Sequence, residues 1–332
     1  MSFGHQIHVG YAMKRVYTQL DKRSEILGRT KDCIVSCIGA VLTPFYRLSA
    51  SLLGAPGIRL HVRCGALALR LLINRRISLS EALTLVCHPF DSARYFEFYI
   101  FGKCPHSCMR WDNYLDIISP LLYFLLLLVA HPKFNASLLN SDKRDMIVSQ
   151  GMLHMFNLNV RCRTYNCVIT GADLSPVSFD IITSISVIEH IPEPDDLIAL
   201  KYIWQLLRPG GRLFISVLYA AEAFEENICI NEYGILKIGG DGYVYGQRFY
   251  NEELLKSQIF QLLDQPARTR IYGERHKGAS MANRACWSRD AWYPFGRESF
   301  MMGREYRYYE HVRKCQEPES LPWNSLRKRS LE

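Results

Sequence analysis

From residue 114 onward, short apolar runs alternate with helix-length segments, and this rhythm constrains the fold more than any other feature of the chain. Phe179 to Val187, F-D-I-I-T-S-I-S-V, is apolar and β-branched almost throughout. A strand needs that composition when helices cover both faces of its sheet. The expectation is an α/β fold with a Rossmann-like, mostly parallel sheet. Tyr114 to Ile118 reads as its first strand, Ala136 to Asn140 as the second, Cys167 to Thr170 as the third, Phe179 to Val187 as the fourth and Arg212 to Leu218 as the fifth. Arg268 to Glu274 and Asn283 to Trp287 supply the last two, which makes seven.

The helices have readable limits. Pro194, Asp195 and Asp196 open one whose face is Leu197, Leu200, Ile203 and Leu207, and Arg208-Pro209-Gly210-Gly211 ends it. Asn251 is expected to cap another that runs to about Leu263. Ile238-Gly239-Gly240-Asp241-Gly242 has no strand–helix context and reads as a loop. Ahead of the sheet, residues 11 to 100 read mainly as helices, with Met13 to Ile26 the first. The domain organisation expected is a helical N-terminal extension over 1–90, an α/β domain over 91–290, and a C-terminal segment and tail over 291–332.

Composition narrows the functional classes. With 332 residues and 48% apolar side chains, the chain can build a core, so global disorder is excluded. The formal charge of +8 is scattered instead of gathered into a block, which disfavours nucleic acid, and Arg327-Lys328-Arg329 reads as a solvated tail. Eleven cysteines without a signal peptide point to reduced thiols and a cytoplasmic setting. Cys104-Pro105-His106-Ser107-Cys108 has no second ligand pair, so no metal is expected. Leu121 to Ala130 is too short to cross a bilayer and reads as a core helix. Cys33 to Leu53, interrupted by Pro44, Arg47 and several serines, reads as an amphipathic helical pair, with peripheral membrane contact left open.

In an open parallel sheet, ligands sit beyond the carboxyl ends of the strands. That rule selects Ile118, Ser119 and Pro120 after the first strand, and Asn140 to Asp142 after the second. After the third come Gly171 to Leu174, and after the fourth Ser186 to His190. Arg94 and Glu97, in the aromatic run before the sheet, read either as a surface ion pair on a packing seam or as part of a substrate-pocket lining.

F-D-I-I-T-S-I-S-V-I-E-H-I (179 to 191), followed by L-L-R-P-G-G-R-L-F-I-S-V (206 to 217), resembles the fourth- and fifth-strand motifs of class I S-adenosylmethionine-dependent methyltransferases. Y-L-D-I-I-S-P (114 to 120) is similar to a variant first motif, L-D-I-G-S-P. The resemblance covers residues 90 to 275 and implies S-adenosylmethionine as cofactor, with methyl transfer to an O or N atom of a small molecule. It places Asp116, Ile118, Ser119 and Pro120 at the methionine end and Asn140 and Asp142 at the ribose. Asp173 and Leu174 fall at the adenine, with Ser186 lining the site. His190 is the candidate base, the alternative being that Glu189 and His190 shape the cofactor pocket or cap the next helix, and the aromatic stretches Tyr95 to Tyr99 and Tyr243 to Tyr250 are candidates for enclosing the acceptor.

Two positions depart from that pattern. Ile118 stands where the family has glycine, and Asn140 where it has an acid. They keep open a reading as a catalytically inactive, methyltransferase-like binding or structural protein. A nicotinamide enzyme would need G-x-G-x-x-G after the first strand, which is missing.

Overall fold

The computed structural model describes residues 14–18, 38, 41–87, 89, 94–101, 112–117, 121–229, 236, 238–263, 266, 269–274, 302, 304, 306–309 and 327–331. Within the segment expected as the first helix, Lys14–Thr18 is instead a strand, β1. Its composition, with Val16, Tyr17 and Thr18, suits that state. The helical layer then follows as α1 over residues 41–52, α2 (Ile58–Ile73), α3 (Leu79–Cys87) and α4 (Arg94–Phe101).

The alternating part runs β2 (Asn113–Ile117), α5 (Leu121–Ala130), β3 (Asn135–Leu139), α6 (Lys143–Met155), β4 (Cys162–Tyr165), β5 (Phe179–Ile185), α7 (Asp195–Leu206) and β6 (Leu207–Tyr219). After it come β7 (Phe224–Ile228) and β8 (Val244–Phe249). Helix α8 is α-helical over Glu252–Leu254 and Gln261–Leu263, with a π-wound stretch, Leu255–Phe260, between them. The last strands are β9 (Thr269–Glu274), β10 (Tyr306–Tyr309) and β11 (Arg327–Leu331).

Eight strands form the main sheet in the order β10-β9-β11-β6-β5-β2-β3-β4, one more than expected, while β1-β7-β8 make a small second sheet. Five consecutive strands, β6, β5, β2, β3 and β4, are parallel, with β4 at the edge of the sheet. β11 runs antiparallel to both β6 and β9, so β9 keeps the direction of the five. Arg327-Lys328-Arg329 is therefore part of a paired strand inside the sheet and not a solvated tail. Asn283 to Trp287 lies outside the described residues.

The third strand also differs from its expectation. It is Cys162–Tyr165, while Ile169 and Thr170 of the expected run belong to a 3-10 turn, Ile169–Gly171, just beyond it. β4 is an edge strand with no fully buried side chain, so it carries no apolar run to announce it.

Side-chain alternation sends β2 into two cores. Leu115 and Ile117 join Leu139, Ile182 and Ile215 beneath Leu200, Ile203 and Leu206 of α7 and Leu255 and Ile259 of α8. On the opposite face Tyr114 joins Ala136, Leu138, Ile181 and Phe214 beneath Phe124, Leu125 and Leu128 of α5 and Tyr95 and Phe98 of α4. Helix α5 sends Tyr123, Phe124, Leu125 and Leu128 into the second core, while Val129 at its end stays exposed.

Candidate functional site

Numbered along the chain, the strands sharing one direction lie in the order 3-2-1-4-5-6, with β11 inserted before the last. The winding reverses between β2 and β5, and the crevice outside their carboxyl ends is the ligand position such a sheet offers. Register brings the strand ends level. Ile117 faces Leu139 and Ser184, Leu139 faces Tyr165, and Ile185 faces Ser216. Ile118, Ser119 and Pro120 follow β2 directly and lie outside the described residues.

Asp116 is buried one residue before the end of β2. Its Oδ2 accepts hydrogen bonds from the Tyr114 hydroxyl at 2.6 Å and the Thr183 hydroxyl at 2.7 Å. Burial, reinforced by the charge of Asp116, pushes the Tyr114 hydroxyl well above its ordinary range, so it remains a donor.

At the next strand end the side chains serve the helix that follows. Asn140 Oδ1 accepts from the Asp142 N–H at 2.8 Å, and Asp142 Oδ1 caps α6 by accepting from the Arg144 N–H at 2.8 Å. Burial works to raise the Asp142 carboxyl, but the Arg144 side chain and backbone N–H, the Arg144 charge and the Asp145 N–H together hold it below the ordinary carboxylate range. The Asn140 carbonyl accepts from Asn166 Nδ2 at 2.8 Å, which fixes the loop after β4. Beyond it Asp173 is exposed, while Leu174 turns into the core.

The end of β5 carries the sharpest local feature. Ser186 has φ 53°, left-handed for a residue with a Cβ, and its N–H is held by Ser216 through the carbonyl at 3.2 Å and Oγ at 3.0 Å. Both hydroxyls, Ser186 at 2.8 Å and Ser216 at 2.6 Å, donate to Oε1 of Glu97. Glu97 comes from α4 and is 2% exposed, and its Oε2 pairs with Arg94 at 2.8 Å. The ion pair expected at the surface is thus a buried carboxylate at the strand ends, drawn inward by two serine hydroxyls that the sequence does not place beside it.

His190 closes a short 3-10 turn, Ile188–His190. Its Nδ1 lies 2.8 Å from the Gly246 carbonyl, which can only accept, so Nδ1 carries the proton and the lone pair of the neutral ring sits on Nε2. Gly246 is an extra residue in β8, since Glu226 faces Gln247 while Asn227 faces Tyr245. This bulge aims its carbonyl at the histidine. Tyr245 donates to the Glu189 carbonyl at 3.0 Å and secures the same turn.

Behind the turn, the fully buried Arg248 of β8 joins three acids. Asp196 at the start of α7 lies at 2.6 Å, Glu225 of β7 at 3.0 Å and Glu193 at 3.6 Å. Burial works to lower the pKa of this guanidinium, but the surrounding tyrosines and acids more than offset it, so it stays charged. Among the described residues no group of three His, Cys, Asp or Glu side chains is placed to hold a metal, and Cys104, His106 and Cys108 lie outside them. No described helix is long and apolar enough to cross a membrane.

The sequence reading missed Glu97, Ser216 and Gly246. Glu97 had one signal, as the single acid in the aromatic run R-Y-F-E-F-Y-I-F. Gly246 and Ser216 act through backbone and through a strand partner, which spacing along a chain does not reveal.

Residues 146–215 match the family model described as a methyltransferase domain. The chain is 39% identical over 56 residues to the ubiquinone biosynthesis O-methyltransferase of Idiomarina loihiensis, a stretch covering 16% of this chain and 22% of that protein. It is 30% identical over 97 residues to the protein of the same name from Coxiella burnetii, covering 28% and 39%. These matches span well under half the length of either relative. A solved SAM-dependent methyltransferase from Leishmania major superposes with a TM-score of 0.40 at 11% identity, covering 71% of this chain and 70% of that one.

Proposed function

We propose that this chain, whose central segment is of the class I methyltransferase family, transfers a methyl group from S-adenosylmethionine to an oxygen atom of a small molecule. The observation that carries the reading is the set of polar groups gathered where the sheet reverses: Asp116 and Glu97 as carboxylates, Ser186 in a left-handed turn, and His190 in one fixed tautomer. The choice of oxygen over nitrogen rests on the relatives named above.

The residues fit the cofactor at two of its three parts. A positively charged sulfur is matched by Asp116 at the end of β2 and Glu97 above β5. The exposed Asp173 is free to reach an adenine amino group, with Leu174 at the edge of the core beside it. At the ribose the fit is weaker, because Oδ1 of Asn140 and the carboxylate of Asp142 already accept hydrogen bonds at the start of α6. In this reading Ile118, Ser119 and Pro120 line the methionine end. When bound, the cofactor supplies an electrophilic methyl whose bond to sulfur breaks as the bond to the acceptor oxygen forms.

The protein's own part is positioning and proton removal. Holding two reactants in line supplies about 7 to 11 kcal/mol in favourable cases. Nε2 of His190 takes the proton of the acceptor hydroxyl, and the Gly246 carbonyl on Nδ1–H stabilises the imidazolium that results. Helix α4 covers the strand ends through Glu97 and keeps water from the reacting atoms. A second reading, a binding protein without turnover, is favoured by the use of Asn140 and Asp142 in the helix cap.

Titration calorimetry with S-adenosylmethionine and S-adenosylhomocysteine tests the proposal. Binding of both, followed by methyl transfer to a phenolic or catecholic acceptor, supports catalysis. Absence of heat and of thermal shift at millimolar ligand removes the enzyme reading, and binding without turnover on any hydroxylated acceptor selects the second one.

A further inference from the structure

The helical layer before the sheet has an outer face that folding alone does not account for. In α1, Val41, Phe45, Leu48 and Leu52 recur on one side, with Ile38 preceding them on the same side; Val41 is 70% and Leu52 80% exposed. The inward side of that helix is already filled by Thr43 and Ala50, and Arg47 turns in to the Val86 carbonyl and His61. Helix α2 repeats the pattern. His61, Cys64, Gly65, Ala68 and Leu71 face the protein, yet Val62, Leu69 and Ile73 form an outward row, Ile73 79% exposed. Leu79 and Leu83 of α3 are open as well. A helix on a soluble domain needs one apolar face, and these have two.

Charge decides what the second face meets. Between Cys33 and Ser80 the sequence holds six arginines and no Asp, Glu or Lys. Arg59, Arg63 and Arg70 make the row beside Val62, Leu69 and Ile73 on α2, and Arg75 and Arg76 follow at its end, all of them exposed. An apolar row flanked by arginines and free of acids is the composition of a helix lying in the headgroup region of an anionic bilayer. A second copy of the chain is a poor occupant, since a twofold contact would set arginine rows against each other. Nucleic acid is equally poor, because the exposed side chains are aliphatic save Phe45 and offer bases no stacking platform.

We infer that the outer face of α1 and α2 docks on an anionic membrane surface, with the apolar rows at the acyl boundary and the arginines among the headgroups. The inference does not depend on methyl transfer, as nothing in it involves the cofactor. Helix α2 is continuous with the site's cover through the close approach of Gly57 to the Tyr95 backbone of α4, where a Cβ would lie 2.5 Å from the carbonyl oxygen.

Co-sedimentation of the full chain with phosphatidylcholine vesicles, with and without phosphatidylglycerol, tests it. Retention on the phosphatidylglycerol vesicles, reduced by added salt, is expected. Arg59→Glu/Arg63→Glu/Arg70→Glu should weaken that retention by about a hundredfold, roughly fivefold for each arginine removed. Leu48→Ser/Leu52→Ser/Ile73→Ser should abolish it while the melting temperature stays that of the parent. Arg63→Glu alone, at an exposed position, keeps the test open should either triple variant fold poorly, and it should still show the fivefold loss. No retention by the parent overturns the inference, as does retention equal on both vesicle types and indifferent to charge reversal. A dimer dispersed by the serine substitutions, with no vesicle binding, overturns it in favour of a second copy.

Discussion

Glu97 accepts hydrogen bonds from Ser186 and Ser216 through a single oxygen, at 2.8 Å and 2.6 Å, and so fastens helix α4 to the ends of β5 and β6. Glu97→Ala would remove one acceptor shared by the Ser186 and Ser216 hydroxyls and the carboxylate that pairs with Arg94. The expected cost is about 1 to 3 kcal/mol in urea unfolding. Glu97→Gln keeps an oxygen for the serines but sets an amide NH2 against Arg94 in place of Oε2, so it loses the ion pair and keeps the serine contacts, and it should cost less than the alanine variant; equal costs would mean the serine contacts contribute nothing.

His190→Gln should lower kcat by roughly 10² to 10⁴ while leaving the affinity for S-adenosylhomocysteine within about twofold, since a proton acceptor acts in the reaction and not in cofactor binding. Steady-state kinetics beside calorimetry separates the two. An unchanged kcat would take the base role from this residue.

Gly246→Ala puts a Cβ 3.0 Å from the Glu226 carbonyl and 3.2 Å from Ile228, inside the bulge that holds His190. The ladder must shift to admit it. A loss of about 1 to 3 kcal/mol is expected, together with a fall in kcat larger than any change in KM. Full activity with reduced stability would show that the bulge does not orient the histidine.

The Asp142 carboxyl, held below its ordinary range despite burial, stabilises the fold above the unfolded-state carboxylate pKa of about 3.9 and loses that contribution as pH falls through the lower folded value. Asp142→Ala should therefore cost about 1 kcal/mol near neutrality, and the two proteins should converge in stability in strong acid. Denaturation curves at several pH values measure this. A gap that persists in acid would point to a cause other than the charged cap.

Burial pushes the Cys64 thiol up to about 12. Because the unfolded thiol ionises near pH 8.5, this residue favours the fold below that value and ceases to do so as pH rises toward 12. It should resist thiol reagents in the native protein at pH 8 and react on unfolding, as mass spectrometry after brief labelling would show.

Where the sequence holds a long apolar run, as in Phe179–Ile185 and Leu121–Ala130, the element could be read directly from the residues. The helix cap at Asn251, whose Oδ1 accepts from the Leu254 N–H at 2.8 Å, was legible for the same local reason. Elements defined by partners were not. β1 exists through its pairing with β7, β4 as a polar edge strand, and Arg327–Leu331 through two neighbours far away in the chain. The site divides along the same line. His190, Asp116 and Ser186 follow from strand ends, whereas Glu97 reaches Ser216 across 119 positions of sequence.

The ion cluster around Arg248 bears on how the molecule opens. The guanidinium belongs to the small sheet, while Asp196 belongs to a helix of the large one, and detaching the β7–β8 ribbon would separate this charge pair. Amides of the ribbon should then exchange their hydrogens no faster than those of β5 and β6, and calorimetry should record one transition in which the van't Hoff and measured enthalpies agree.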